Sequence, residues 1–121
     1  MSAKAYAQWG GIILLVLGVL GLFTGVRVIG LNSDIVEDII HLVAGLILVY
    51  FGFRGTDAQA ATWAQVFGVI FLVVGVIGFI PAVKTLFGLL PTGLAAADNI
   101  VHLIYGVLGI WAGRSYKPAA A

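Results

Sequence analysis

Four apolar stretches, at about residues 6–24, 35–53, 62–80 and 98–114, dominate this chain. Each approaches the roughly 20 residues that a helix needs to cross the hydrocarbon core of a bilayer. Unpaired backbone groups are too costly in lipid for open strands or loops, so the stretches are expected to be helices. Composition agrees, because 62% of the 121 residues are hydrophobic and 9% are charged. A soluble domain of this length buries only part of its surface and could not hide so much apolar area. The expected fold is therefore all-α, an integral membrane four-helix bundle in contact with the lipid bilayer. A net charge of +1 with no basic block gives no reason to expect a nucleic-acid partner. With no cysteine, disulfides, thiolate metal sites and thiol nucleophiles are excluded.

The stretches are two copies of one unit. Leu15-Val16-Leu17-Gly18-Val19-Leu20-Gly21 answers to Leu72-Val73-Val74-Gly75-Val76-Ile77-Gly78. Asp38-Ile39-Ile40-His41-Leu42-Val43-Ala44-Gly45 answers to Asn99-Ile100-Val101-His102-Leu103-Ile104-Tyr105-Gly106. Residues 1–55 form a first two-helix repeat and residues 56–121 a second, with extra residues in the second copy around Lys84 to Ala97, where a loop tolerates insertion. Two spans per copy make the copies parallel, related by a pseudo-twofold axis along the membrane normal. The first stretch follows Lys4 like a secretory signal, but it lacks a small-residue cleavage site and matches the third stretch, so it is expected to remain as a helix.

Basic residues set the expected orientation. Lys4, Arg54, Arg114 and Lys117 lie on the side shared by the termini and the central loop, against Arg27 and Lys84 opposite. The positive-inside rule places both termini in the cytoplasm. Tyr6, Trp9, Trp63, Trp111 and Tyr116 cluster towards that side and are expected to act as interfacial anchors.

Glycine recurs at seven-residue spacing: Gly11, Gly18 and Gly25; Gly45 and Gly52; Gly68 and Gly75; Gly106 and Gly113. That period keeps one seam of a helix against its neighbour, and small residues let backbones approach closely. These glycines are expected to be helix-packing contacts, inside the bundle or at a homo-oligomer interface. On the opposite side, Asn32-Ser33-Asp34 offers capping residues, and Asp34 with Glu37 has the form of a capping box. Pro81 is expected to end or bend the third helix, and Val83 to Leu90 to lie as a short amphipathic piece at the interface with Lys84 reaching the headgroups.

Candidate chemistry converges on two histidines. Glu37 stands four residues before His41 and Asp98 four before His102, so each pair shares a helical face. Asp38 and Asn99 stand three residues before the same histidines. One reading is a hydrogen-bonded cluster that locks the two repeats in register. Another is a metal site using His41, His102, Glu37, Asp38 and Asp98, a nitrogen and oxygen set suited to zinc, iron or manganese, with Asn99 orienting the imidazoles. The spacing Asp38-x-x-His41 is that of carboxylate and histidine pairs in di-iron bundles, and Asn99 breaks it in the second copy. Haem or (bacterio)chlorophyll ligation by His41 and His102, or a proton relay, are the remaining alternatives.

No nucleophile elbow, phosphate-binding loop or metalloprotease helix is present, and the three serines lie near span ends or termini, so the chain is not expected to be an enzyme. Leu86-Phe87-Gly88-Leu89-Leu90, followed by Asp98-Asn99-Ile100-Val101-His102-Leu103 and Gly106-Val107-Leu108-Gly109, resembles a family of small bacterial four-helix membrane proteins of unknown function. The resemblance covers nearly the whole chain, with Asp38 replacing the motif asparagine in the first half. It implies four helices in a bacterial inner membrane and no activity. The expected role is a structural or accessory subunit of a membrane assembly, with binding through His41 and His102 as the alternative.

Overall fold

The computed structural model describes residues 1–24, 27–28, 31–32 and 34–118. Among them four helices carry the fold: α1 (Ala3–Thr24), α2 (Ile35–Phe53), α3 (Asp57–Ile77) and α4 (Ala96–Arg114). The only other regular pairing there joins β1 (Arg27–Val28) to β2 (Leu31–Asn32), two residues each and antiparallel, between α1 and α2. The all-α fold is as expected.

Local chemistry sets the helix ends. Ser2 Oγ accepts the Ala5 amide at 3.0 Å, so α1 starts before its apolar stretch. A reciprocal capping box starts α3 at Asp57, earlier than hydropathy suggests: Thr56 Oγ1 accepts the Gln59 amide at 3.1 Å, and Gln59 Oε1 accepts the Thr56 amide at 2.9 Å. At its other end α3 stops at Ile77 rather than reaching residue 80. Proline's ring clashes with the carbonyl four residues earlier, which here is Ile77, so Pro81 ends the helix before its own position.

Three helices, α1, α2 and α3, are long and apolar enough to span a membrane, which makes this a multi-pass membrane protein in contact with lipid. The fourth expected span, α4, matches α2 in length but is less apolar, because Ala96, Ala97, Gly109 and Arg114 stand where α2 has Ile35, Val36, Leu48 and Phe53; the polar residues of its first two turns are Asp98, Asn99 and His102. All three are buried, and α4 lies along α3, so it shares that helix's depth. Large apolar side chains face outward on every helix, as lipid-facing surfaces require.

The helices pack chiefly as two antiparallel hairpins, α1 with α2 and α3 with α4. Glycine makes each contact close. A methyl group at Gly11 would lie 2.8 Å from the Val49 amide nitrogen and 3.0 Å from the Gly45 carbonyl oxygen. One at Gly106 would lie 2.5 Å from the Leu72 nitrogen and 2.7 Å from the Gly68 oxygen. Gly18 and Gly75 take Leu42 and Leu103 in the same manner, while Gly52 and Gly113 meet the Gln8 and Gln65 regions. Gly25 lies outside the described residues, as do the side chains of Asn32 and Ser33. Between hairpins, the Tyr6 hydroxyl donates to the Tyr105 carbonyl at 3.0 Å and the Tyr105 hydroxyl donates to the Gly10 carbonyl. The backbones of α2 and α4 are not closely packed on each other.

Three expectations are corrected. Tyr6 is no interfacial anchor: it is 4% exposed, and its hydroxyl serves the contact between α1 and α4. Trp63 is partly buried between Phe51 and Phe67, whereas Trp9 is 68% exposed. Residues 83–90 form no amphipathic helix but a run of turns, in which Leu86, Phe87 and Gly88 adopt positive φ of 49°, 60° and 91° and Leu90 is buried. Three successive left-handed residues cannot continue a right-handed helix.

The hairpin contact predicts a clear contrast. Gly106→Ala should destabilise the protein in micelles by about 1–3 kcal/mol, because backbone atoms cannot move aside as side chains can. Ile104→Ala, on the lipid face, should change stability by less than about 0.5 kcal/mol. Thermal unfolding followed by circular dichroism measures both, and an unchanged midpoint for Gly106→Ala would show that the helices can separate freely.

Candidate functional site

Helical periodicity turns Glu37, His41 and His102 into the bundle near the ends where α2 and α4 begin. Glu37 is the third residue of α2 and His41 follows one turn later, whereas His102 is the seventh residue of α4. All three are buried, with Glu37 at 5% exposure. His41 Nε2 and His102 Nε2 each lie 3.8 Å from the same oxygen, Glu37 Oε1. One ligand atom from each of the three side chains lies within 4.8 Å of the other two. The imidazole rings are 6.4 Å apart between centroids and inclined at 64°. Phe71 stacks on His102 at 5.6 Å and meets Tyr105 edge-on at 5.1 Å, which holds that imidazole from the α3 side.

At 3.8 Å none of these polar pairs is a hydrogen bond. Between them lies a cavity of about 30 Å³, lined by the three side chains together with Leu14, Leu17, Leu31, Phe71, Val101, Tyr105, Asp38 and Asp98. That is space for a water or a small cation, since one water needs roughly 10–15 Å³ measured this way. Glu37 Oε2 and His102 Nδ1 are buried without a hydrogen-bond partner, and so is Asn99 Oδ1. A buried polar atom left unsatisfied costs about 1–3 kcal/mol. The donor set thus surrounds a gap that the protein's own groups do not fill.

Two acids at matching helix positions do different work. Both Glu37 and Asp98 occupy the third position of their helices. Asp98 turns back and accepts the Ala95 amide at 2.7 Å, half of a capping box, since alanine offers no side-chain oxygen in return. Glu37 turns inward to the histidines. The capping box expected from Asp34 and Glu37 does not form, because Asp34 makes no side-chain bond to its own helix. Its Oδ2 instead accepts the Thr92 hydroxyl at 2.7 Å and the Thr92 amide at 3.2 Å, across 58 residues of chain. Losing an N-cap oxygen costs a helix about 1 kcal/mol, so α2 forgoes local stability for this long-range contact.

Of the residues singled out from sequence, the structure brings His41, His102 and Glu37 together at ligand range. Asp38 and Asp98 line the same cavity outside that trio. Asn99 is fully buried against Gly78, where any side chain on the glycine would collide with its carboxamide. Sequence reasoning missed Thr92, Phe71 and Tyr105. Only Tyr105 carried a signal, standing three residues after His102 on the same helical face.

A family profile described as a domain of unknown function, DUF4383, matches residues 61–121. The matched half includes His102, Asp98 and Asn99 but neither Glu37 nor His41. No curated protein and no solved structure is similar enough to the chain to count as a match.

The unsatisfied atoms predict that the site opposes stability. Glu37→Met, close in volume and without polar atoms to satisfy, should stabilise the metal-free protein by about 1 kcal/mol. Chemical or thermal unfolding in detergent reads this directly, and a loss of stability would show that Glu37 is already satisfied in the folded protein.

Proposed function

The chain belongs to the DUF4383 family, whose description assigns no activity, and from the site itself we propose that it binds one divalent transition-metal ion through Glu37, His41 and His102. The observation that carries this reading is the convergence of two imidazole nitrogens and one carboxylate oxygen on a small cavity that no protein group fills. Two imidazoles and a carboxylate form the set that holds zinc in many proteins and iron or manganese in others. An ion equidistant from atoms this far apart would lie within about 2.5 Å of each, so contraction by a few tenths of an ångström reaches the roughly 2.0–2.2 Å of zinc bonds. Three protein ligands leave further coordination positions towards the cavity, where water fits.

The cavity favours this reading over haem or chlorophyll, because about 30 Å³ cannot admit a macrocycle without parting the helices. A proton relay would use the same histidines and lacks a comparable observation in its favour. With the termini cytoplasmic, as the basic residues suggest, the ion would sit towards the outer leaflet, in a protein that binds rather than catalyses. Its buried carboxylate touches histidines of both hairpins, so the ion would also tie them together. The resemblance to bacterial membrane proteins and the internal duplication fit a small inner-membrane component. Lipid suffices to cover its exposed apolar faces.

Purified in detergent and stripped with chelator, the wild-type protein should take up one equivalent of Zn²⁺ or Co²⁺ and unfold at higher temperature when loaded. At a free metal concentration of 100 Kd the stabilisation should reach about 2.7 kcal/mol. His41→Ala, His102→Ala and Glu37→Gln should each weaken uptake, by tenfold or more for the histidines. Elemental analysis and the Co²⁺ absorption spectrum decide the matter. A metal-free protein whose histidine variants lose only stability would make the cluster a structural lock between hairpins.

A further inference from the structure

The backbones of α2 and α4 are not closely packed on each other, yet the candidate site draws two side chains from α2 and one from α4. Something else must fix their separation, because a metal site tolerates only a few tenths of an ångström. The close pairs, α1 with α2 and α3 with α4, set geometry within hairpins, while sparser contacts of α1 with α3 and α4 and of α2 with α3 join the hairpins and leave the fine spacing of α2 and α4 to side chains.

Asp34 and Thr92 occupy the places from which that distance can be set. Asp34 immediately precedes α2 and stands three residues before Glu37, while Thr92 stands four residues before the start of α4. Asp34 is 6% exposed, and its carboxylate accepts both the hydroxyl and the amide of Thr92. Two donors on one oxygen restrict the angle as well as the length of the contact. The segment carrying Thr92 is itself held, since Gly93 adopts a φ of 74°, the Leu94 amide donates to the Lys84 carbonyl at 2.9 Å, and Leu90 and Leu94 are buried. Capping does not explain Asp34, whose side chain makes no bond to its own helix.

We infer that Asp34 is the positioning residue of this site. By holding Thr92 it fixes the approach to α4 against the start of α2, and so sets the separation of Glu37 and His41 from His102. The assignment rests on the metal-binding reading for its purpose, while the tie between the helices can be tested without metal. Residues that orient ligands from outside a metal's immediate sphere typically change affinity by about 10–100-fold when altered.

The chain has no cysteine, so Ile39→Cys on α2 and Ile100→Cys on α4, both about half exposed, allow paired spin labels on the two helices. Distances between them are measured in metal-free protein with Asp34→Ala, Thr92→Val or Thr92→Ser added. Co²⁺ affinity and spectrum are measured in the same three variants without labels, and far-ultraviolet circular dichroism confirms that each is folded. Asp34→Ala and Thr92→Val should widen the distance distribution, weaken Co²⁺ binding about tenfold or more and alter its visible bands. Thr92→Ser, which keeps the hydroxyl, should behave as wild type.

An unchanged distance overturns the inference, even with weaker binding, since Asp34 would then act by charge alone. A changed distance with unchanged affinity and bands overturns it too, because the tie would not reach the site. Should the wild type bind no Co²⁺, the proposed function falls, and the distances alone decide whether Asp34 sets the spacing of the two helices.

Discussion

Close approach of helix backbones at glycine is the contact on which the rest of this structure depends. In a bilayer, burying apolar side chains against each other gains little over leaving them in lipid, so helices associate by packing and by polar contacts. Gly11 against Gly45 and Gly68 against Gly106 supply that packing within each hairpin. They bring helix axes near enough for Gln8 Nε2 to donate to the Gly52 carbonyl at 2.8 Å. With both hairpins narrowed, Tyr6 and Tyr105 can bridge them through backbone carbonyls. The polar residues at the other end of the bundle then face one another across a space of molecular size.

What happens there is governed by satisfaction of polar groups. Two acids in equivalent helix positions have separate fates, one capping its own helix and one facing two imidazoles. Their neighbours differ as well: Ala95 gives its amide to Asp98, while the carboxylate of Asp34, in the corresponding place before α2, is engaged with Thr92. Two hairpins with acids at matching helix positions thereby yield a site with one carboxylate and two nitrogens, and that inventory suits a divalent ion better than a pair of acids would.

Much of the fold was legible in the sequence because membrane helices announce themselves by length and hydropathy. The second helix has the same limits, 35–53, in sequence reading and in structure. The departures come from short-range chemistry that hydropathy ignores: the Thr56 and Gln59 box lengthens α3 at its start, and Pro81 shortens it at its end. Of the site, periodicity on single helices marked Glu37, His41 and His102 but could not tell whether they meet, since helix rotation and neighbour choice are decided by packing. Thr92 was invisible for a related reason. Its partner is 58 residues away, and an aspartate before a helix looks like a cap until the fold offers it something else.

That Glu37 belongs to the first hairpin and His102 to the last helix bears on how the protein is made. Chains emerge N-terminus first, so α2 enters the membrane with Glu37 and His41 before their partner exists. A carboxylate at the third residue of its helix lies close enough to the headgroups to stay hydrated during that interval. Arrival of the second hairpin then strips away this water as His102 closes on the site. Dehydration of Glu37 therefore waits on the second hairpin, and a partner that satisfies its carboxyl group helps to complete the bundle.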